Sequence, residues 1–151
     1  MQENKKSSGG IIDLGIGVFL LAVVGLLAAN IFIIYAAISY NDESCKLITV
    51  AAARAAQEGQ DQKGIFQAAQ RELFSCGSGG FFISAPQLQY FTHDKVGSKH
   101  KFKVATQISA HVPVPALVLE NNRMPLFTFK RIYVLETSEQ SESSNQSMPI
   151  R

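Results

Sequence analysis

The sequence predicts an α+β protein in which an N-terminal transmembrane helix runs on into a helical stem, packed on a small three-stranded antiparallel sheet. Three observations carry that prediction. Between Leu14 and Ile38 stand 25 residues, of which 21 are apolar and none is charged. Small and apolar residues then recur at spacings of three and four as far as Phe74. From Phe102 the period drops to two, the signature of a strand with one buried face.

The chain has 151 residues, 46% of them hydrophobic, with a formal charge of +2 and a mean hydropathy of +0.08. That is room for one domain beside the apolar run. Outside residues 14–38 the apolar share falls to that of an ordinary small wet domain, so the excess lies in one place. This distribution excludes a multi-span transporter, a wholly disordered chain and a plain cytosolic globule. The charge is too small and too scattered to be a nucleic-acid footprint.

Residues 1–13 read as a polar leader, ending in the flexible Ser7-Ser8-Gly9-Gly10 and in Asp13, an acid favoured at the start of a helix by the helix dipole. Residues 14–38 reach roughly 37 Å as a helix, against about 30 Å of bilayer hydrocarbon. A cleaved secretory signal has an apolar region of only about 7–15 residues, far shorter than this run. A lipoprotein anchor is disfavoured because Cys45 follows Asp42, Glu43 and Ser44. Lys5 and Lys6 lie on one side, and Lys46 and Arg54 balance them on the other, so the charge rule leans only gently to an N-terminus inside. Within the span, Ala22, Gly25, Ala29 and Ala36 form a stripe of small residues beside Asn30. Such a stripe admits a second helix closely, and Asn30 can add an interhelical hydrogen bond, although small residues are common in any transmembrane helix.

Residues 39–137 are expected to form the folded α+β domain. Asn41–Glu58 continues the helix, with Gly59 as the residue after its end. Its apolar stripe is Cys45, Ile48, Ala52 and Ala55, and its wetter face Lys46, Thr49, Ala53 and Gln57. A second helix is predicted from Asp61 or Gln62 to Phe74, burying Ile65, Ala68 or Ala69, and Leu73, before Cys76-Gly77-Ser78-Gly79-Gly80 stops it. Phe82–Phe91 is a loose strand candidate, followed by a polar connection over Thr92–Lys101. Phe102–Val112 is the clearest strand. Pro113, Pro115 and Pro125 bracket a connection with a turn of helix at Ala116–Glu120, and Leu126–Thr137 is a third strand. Three strands in succession suggest a meander, its apolar face on the Cys45–Ala55 stripe. The tail 138–151 is rich in Ser, Gln and Glu and reads as disordered.

No acid, base and nucleophile stand together in a pattern that an enzyme would need, and no cofactor or metal is expected. His93, Asp94 and His100 share one predicted loop. Zinc needs three or four ligands at fixed spacing, so a solvated hairpin tip is the plainer reading. Gly77–Gly80 lacks the Lys-Ser/Thr of a phosphate-binding loop and precedes a strand rather than a helix. Lys99–Lys103 is either a solubilising edge or a surface for an anionic envelope ligand. On the second reading the chain is a membrane-tethered binding module.

The order of leader, apolar helix, Ala-rich extension, second helix and small sheet resembles the TadE/TadG-like (tight adherence) pilus-assembly proteins, which are pilin-like and span the membrane once. The likeness rests on Gly10-Ile11-Ile12-Asp13-Leu14, on Asn41-Asp42, Cys45, Ala51-Ala52-Ala53-Arg54-Ala55-Ala56 and Gly59, and on the strand that runs into Val112-Pro113-Val114-Pro115 before an aromatic strand. It covers residues 9–137. It implies a pilin-like stem and a place in the bacterial inner membrane with residues 1–13 cytoplasmic and 39–137 extracytoplasmic. The role implied is that of a minor pseudopilin or assembly component. The implied partners are membrane lipid, other pilus-assembly subunits and further copies of the chain, with no nucleic acid. Pilin-type precursors are cut after a glycine and usually carry a glutamate at the fifth position of the mature chain, where this sequence has no acid. Here Asp13 is third after Gly10 and fourth after Gly9, so cleavage after Gly10 and a retained leader both stand open.

Cys45 and Cys76 would then lie on the oxidising side of the membrane, and an even count leaves no orphan. A second helix running back along the first would return Cys76 towards Cys45, so a disulfide is expected. The alternative is two separate buried thiols.

Overall fold

A computed structural model describes residues 7–113 and 126–138, with side chains from residue 12 onward. Helix α1 spans Ser7–Gln57, α2 Gln62–Cys76, and strands β1, β2 and β3 span Gln87–Val96, Lys99–His111 and Leu126–Ser138. Residues 1–6, most of the tail at 138–151 and the predicted turn at Ala116–Glu120 lie outside the described residues.

The first helix is one rod of 51 residues. It starts at Ser7, so the segment expected to be a flexible lead-in is helical, and Asp13 lies in the second turn rather than at the helix start. Adding a residue to an existing helix gains a hydrogen bond without a new nucleus, which offsets the weak propensity of Gly9 and Gly10. At the other end Gly59 N donates to Ala56 O and Gln60 N to Ala55 O, both at 3.0 Å. This is a Schellman closure with Gly59 in the predicted place. Asp61 caps α2, its carboxylate accepting from Gly64 N at 2.8 Å.

The three strands form an antiparallel meander in the order β1-β2-β3. Phe102, Val104, Thr106, Ile108 and Ala110 of β2 are all buried, as their alternation predicts. The first strand differs from expectation: it runs to Val96 and turns through two residues, Gly97 (φ 63°) and Ser98, instead of ending at Phe91 before a long polar loop. A glycine in the left-handed region opening a two-residue turn matches the twist of paired strands, so Thr92–Val96 is drawn into the ladder. Of the segment before it, Ile83 makes a single bridge to Ala110.

A single helical ladder organises the core. Ile33, Ala37, Asn41 and Cys45 succeed one another at intervals of four, and Ile48 and Ala52 continue the face; all six are buried. The upper part packs with Ile65 and Ala69 of α2 and Phe102 and Val104 of β2. The lower part packs Ile33 and Ala37 against Ile83, Ile108 and Ala110. The folded head therefore begins at Ile33, before the apolar run ends at Ile38. Thr49 and Ala53, expected on a wetter face, are buried at 0% and 5% exposure. With the sheet on one side of α1 and α2 on another, more than one stripe is covered.

Below the head the helix is bare. Ile12, Leu14, Phe19, Leu21, Leu27 and Phe32 are among the side chains more than half exposed. The helix is long and apolar enough to cross a membrane.

Candidate functional site

Gly25 and Ala29 continue the buried ladder downwards: positions 25 and 29 precede 33 and 37 at the same interval of four. Ala22, Gly25 and Ala29 are exposed. A Cβ built on Gly25 meets no atom within 4 Å, so this stretch is an open groove along the helix and not a site packed by the chain itself. Ala36, the fourth small residue of the stripe, packs instead against the lower core of the head. Asn30 stands beside the groove, and its side-chain oxygen is shut off from solvent without a hydrogen-bond partner. Gly10 and Asp13 are both helical and lie below this stretch.

The two cysteines are free, which corrects the expected disulfide. Cys45 faces the sheet, its thiol donating to Val104 O at 3.5 Å and to Arg131 O at 3.8 Å. The second helix does run back along the first, but it ends beside Tyr40, whose hydroxyl donates to Cys76 O at 2.6 Å and to Gly77 O at 3.0 Å. Five residues of helix separate Tyr40 from Cys45, and the two side chains point to different sides of α1. Gly79 completes the Tyr40 clasp. A Cβ there would stand 2.8 Å from the Tyr40 ring and 2.9 Å from Ile83, so the segment that stops α2 also needs glycine for close packing. Burial pushes both thiols above their ordinary pKa, leaving little thiolate to react. Alkylation of native protein is expected to modify Cys76 slowly and Cys45 hardly at all. Denatured, unreduced protein should take up two equivalents, and an intact mass two hydrogens lighter would contradict this arrangement.

His93 and His100 are not a solvated tip. His100 is 4% exposed, the rings stack with centroids 5.1 Å apart, and His93 Nε2 lies 2.8 Å from His100 Nδ1. His93 also stacks on Phe102 at 4.6 Å. One ring must donate and the other accept, so the contact is lost if both rings are protonated. Burial, and then the neighbouring His100, hold the His93 pKa below its usual value. The folded state therefore binds fewer protons than the unfolded chain once the pH drops below about 6.5. Stability is expected to be full above that pH and to fall as acid is added. His93→Phe should flatten the dependence between pH 7 and 5, as followed by thermal unfolding; an unchanged slope would rule the pair out as its source.

The basic hairpin is partly engaged within the chain. Lys101 pairs with Glu136 at 3.0 Å, both side chains more than half exposed, and Lys103 lies 5.7 Å from the Tyr90 ring centre. Such exposed pairs add little stability, and they draw charge away from any outside anion. Among the described residues, no group of three or more His, Cys, Asp or Glu could hold a metal ion.

Sequence reasoning missed one buried polar pair. Thr106 Oγ1 donates to Asn41 Oδ1 at 2.8 Å, and Asn41 Nδ2 donates to Phe129 O at 3.1 Å. Two signals mark it. Thr106 is a polar residue amid Phe102, Val104, Ile108 and Ala110 on the inward row of β2, and Asn41 extends the Cys45, Ile48, Ala52 stripe one step back. Nearby, Arg131 Nε and Asp42 Oδ1 pair at 2.5 Å on the exposed flank.

No family model, no curated protein and no solved structure matches this chain.

Proposed function

We propose that the chain is a membrane-anchored structural subunit: a minor pseudopilin or assembly component of a tight-adherence type pilus or secretion system, acting by helix packing and protein–protein contact. The observation that carries this reading is the unbroken helix, bare and apolar below Ile33 and the spine of an α+β head above it. Residues 12–32 would form the membrane span. They are 21 residues, roughly 31 Å long, close to the thickness of bilayer hydrocarbon. With Lys5 and Lys6 inside, the head lies on the extracytoplasmic face of a bacterial inner membrane.

The groove at Ala22, Gly25 and Ala29 is the surface offered to other subunits or to a second copy. Between helices in lipid, close backbone approach and polar side chains supply the attraction that the hydrophobic effect cannot. Asn30 beside the groove carries the polar side chain of this stretch, and turning its amide outward would let it bond to a neighbouring helix. A photoreactive residue at position 29, used in native membranes, is expected to capture a small set of single-span proteins. Gly25→Leu should abolish capture without changing the thermal stability of the head, since the added side chain meets nothing in the chain itself. Capture of lipid alone, together with normal surface filaments in a deletion strain, would refute the reading.

A further inference from the structure

The end of the head from which the bare helix emerges carries large apolar side chains that nothing described in the chain covers. Phe81 is 96% exposed, Leu126 56% and Phe127 42%. The strand register gathers them at one level. Leu126 is opposite His111 and Phe127 opposite Ala110, the last residues of β2. Ile83 bridges to Ala110, and His111 N donates to Phe82 O, so Phe81 stands beyond the strand's last pair. Ile33 and Ala37 pack on this same end of the sheet, and the next residues down the helix, Phe32 and Ile31, are 70% and 68% exposed. Phe81 and Phe82 meet edge to face with centroids 5.1 Å apart, which makes a firm two-ring wedge.

The geometry points to an interfacial anchor: Phe81, Leu126 and Phe127 rest in the lipid headgroup region, and the head is seated on the bilayer surface. This inference rests on the membrane reading above. The occupant is lipid because the apolar helix leaves the head at this level, so any bilayer it crosses starts where these side chains stand. Apolar groups at such a boundary settle about 5–10 Å into the headgroup and acyl region. Scattered exposed apolar side chains are ordinary, but these three are gathered at the end of the head from which the bare apolar helix leaves.

The test uses the full chain in phosphatidylcholine–phosphatidylglycerol vesicles, with Cys76→Ser and the buried Cys45 retained. Single cysteines from Phe81→Cys, Val96→Cys and Phe19→Cys carry an environment-sensitive fluorophore. Val96 is 77% exposed at the far hairpin and serves as the aqueous reference. Lipids with a nitroxide at a shallow acyl position are expected to quench the label at 81 several-fold more than the label at 96, while deep nitroxides quench the label at 19. Equal quenching at 81 and 96, with 19 still quenched, would overturn the anchor and leave the membrane span standing. A label at 81 shielded from aqueous iodide but untouched by lipid nitroxides would show protein covering the rim, and would overturn it too. Loss of quenching at all three positions would remove both readings.

Discussion

Phe102→Ala is expected to cost the head about 3–5 kcal/mol, the range for deleting a buried aromatic ring from a packed core. The side chain is fully buried, packed among Cys45, Ile48, Ala52 and Val104, where the spine helix, the second helix and the sheet meet. It is also the plate on which His93 stacks. Removing it leaves a cavity that the small residues around it cannot close. Ala52, Ala53, Ala55 and Ala56 are already in close contact, and their backbone belongs to a continuous helix that cannot shift inwards. Typical domains have about 5–15 kcal/mol of stability in total, so the variant should be near its unfolding limit at growth temperature. Pulse proteolysis of the full chain in detergent micelles, across a urea series, reads the change without a tryptophan, which the chain lacks. Phe102→Leu should fall between the variant and the parent. A midpoint for Phe102→Ala close to that of the parent would mean that the upper core is looser than its burial indicates.

What could be read from sequence was what is decided locally. The apolar rod, the Gly59 stop, the start of the second helix at Gln62 and the inward row of β2 each depend on residues within one or two turns, and each stands where the pattern puts it. The first strand was misplaced because Thr92–Lys95 carry little apolar signal of their own. They are strand because Gly97-Ser98 folds them onto β2, whose alternation reaches back through His100. The same alternation was the available clue that His100 is buried, since it lies two residues before Phe102 on the inward row. The disulfide failed for a rotational reason. Spacing along two antiparallel helices says how far Cys76 returns, but not which side of the spine Cys45 presents. That side is decided by the sheet, a contact between segments some 60–90 residues apart. The groove at Gly25 and Ala29 was legible as composition. Its alignment beneath the sheet-packed face became visible only once Ile33 and Ala37 were seen to be buried.

Asn41 and Thr106 should behave as one unit. Asn41→Leu removes the acceptor for the Thr106 hydroxyl and the donor to Phe129 O, leaving two polar groups without partners inside the head. Each such group costs about 1–3 kcal/mol, so the single change is expected to cost about 2–6 kcal/mol in all. Thr106→Val strands only the Asn41 oxygen and should cost about 1–2 kcal/mol. The double variant removes both hydroxyl and amide and replaces them by apolar groups of similar shape. Only Phe129 O is left wanting, so the double change should cost clearly less than the two single changes together, with a coupling of about 0.5–3 kcal/mol. Four urea midpoints close the cycle, and strictly additive costs would show that the two side chains do not depend on each other. The pair joins the spine helix to β2 and β3 at once, at 2% and 0% exposure, amid residues that are otherwise small and apolar. Alanine-rich packing by itself tolerates rotation of a helix against a sheet. Two directed hydrogen bonds do not, and the expected signature of the double variant is a loss of about 1–3 kcal/mol, the cost of Phe129 O alone, with a looser head, seen as faster amide exchange in β3. Because the same helix carries the Gly25–Ala29 groove, a head free to rotate no longer dictates where that groove faces. The double variant should therefore spread the crosslinks from position 29 over more partners while lowering the midpoint less than Asn41→Leu alone does.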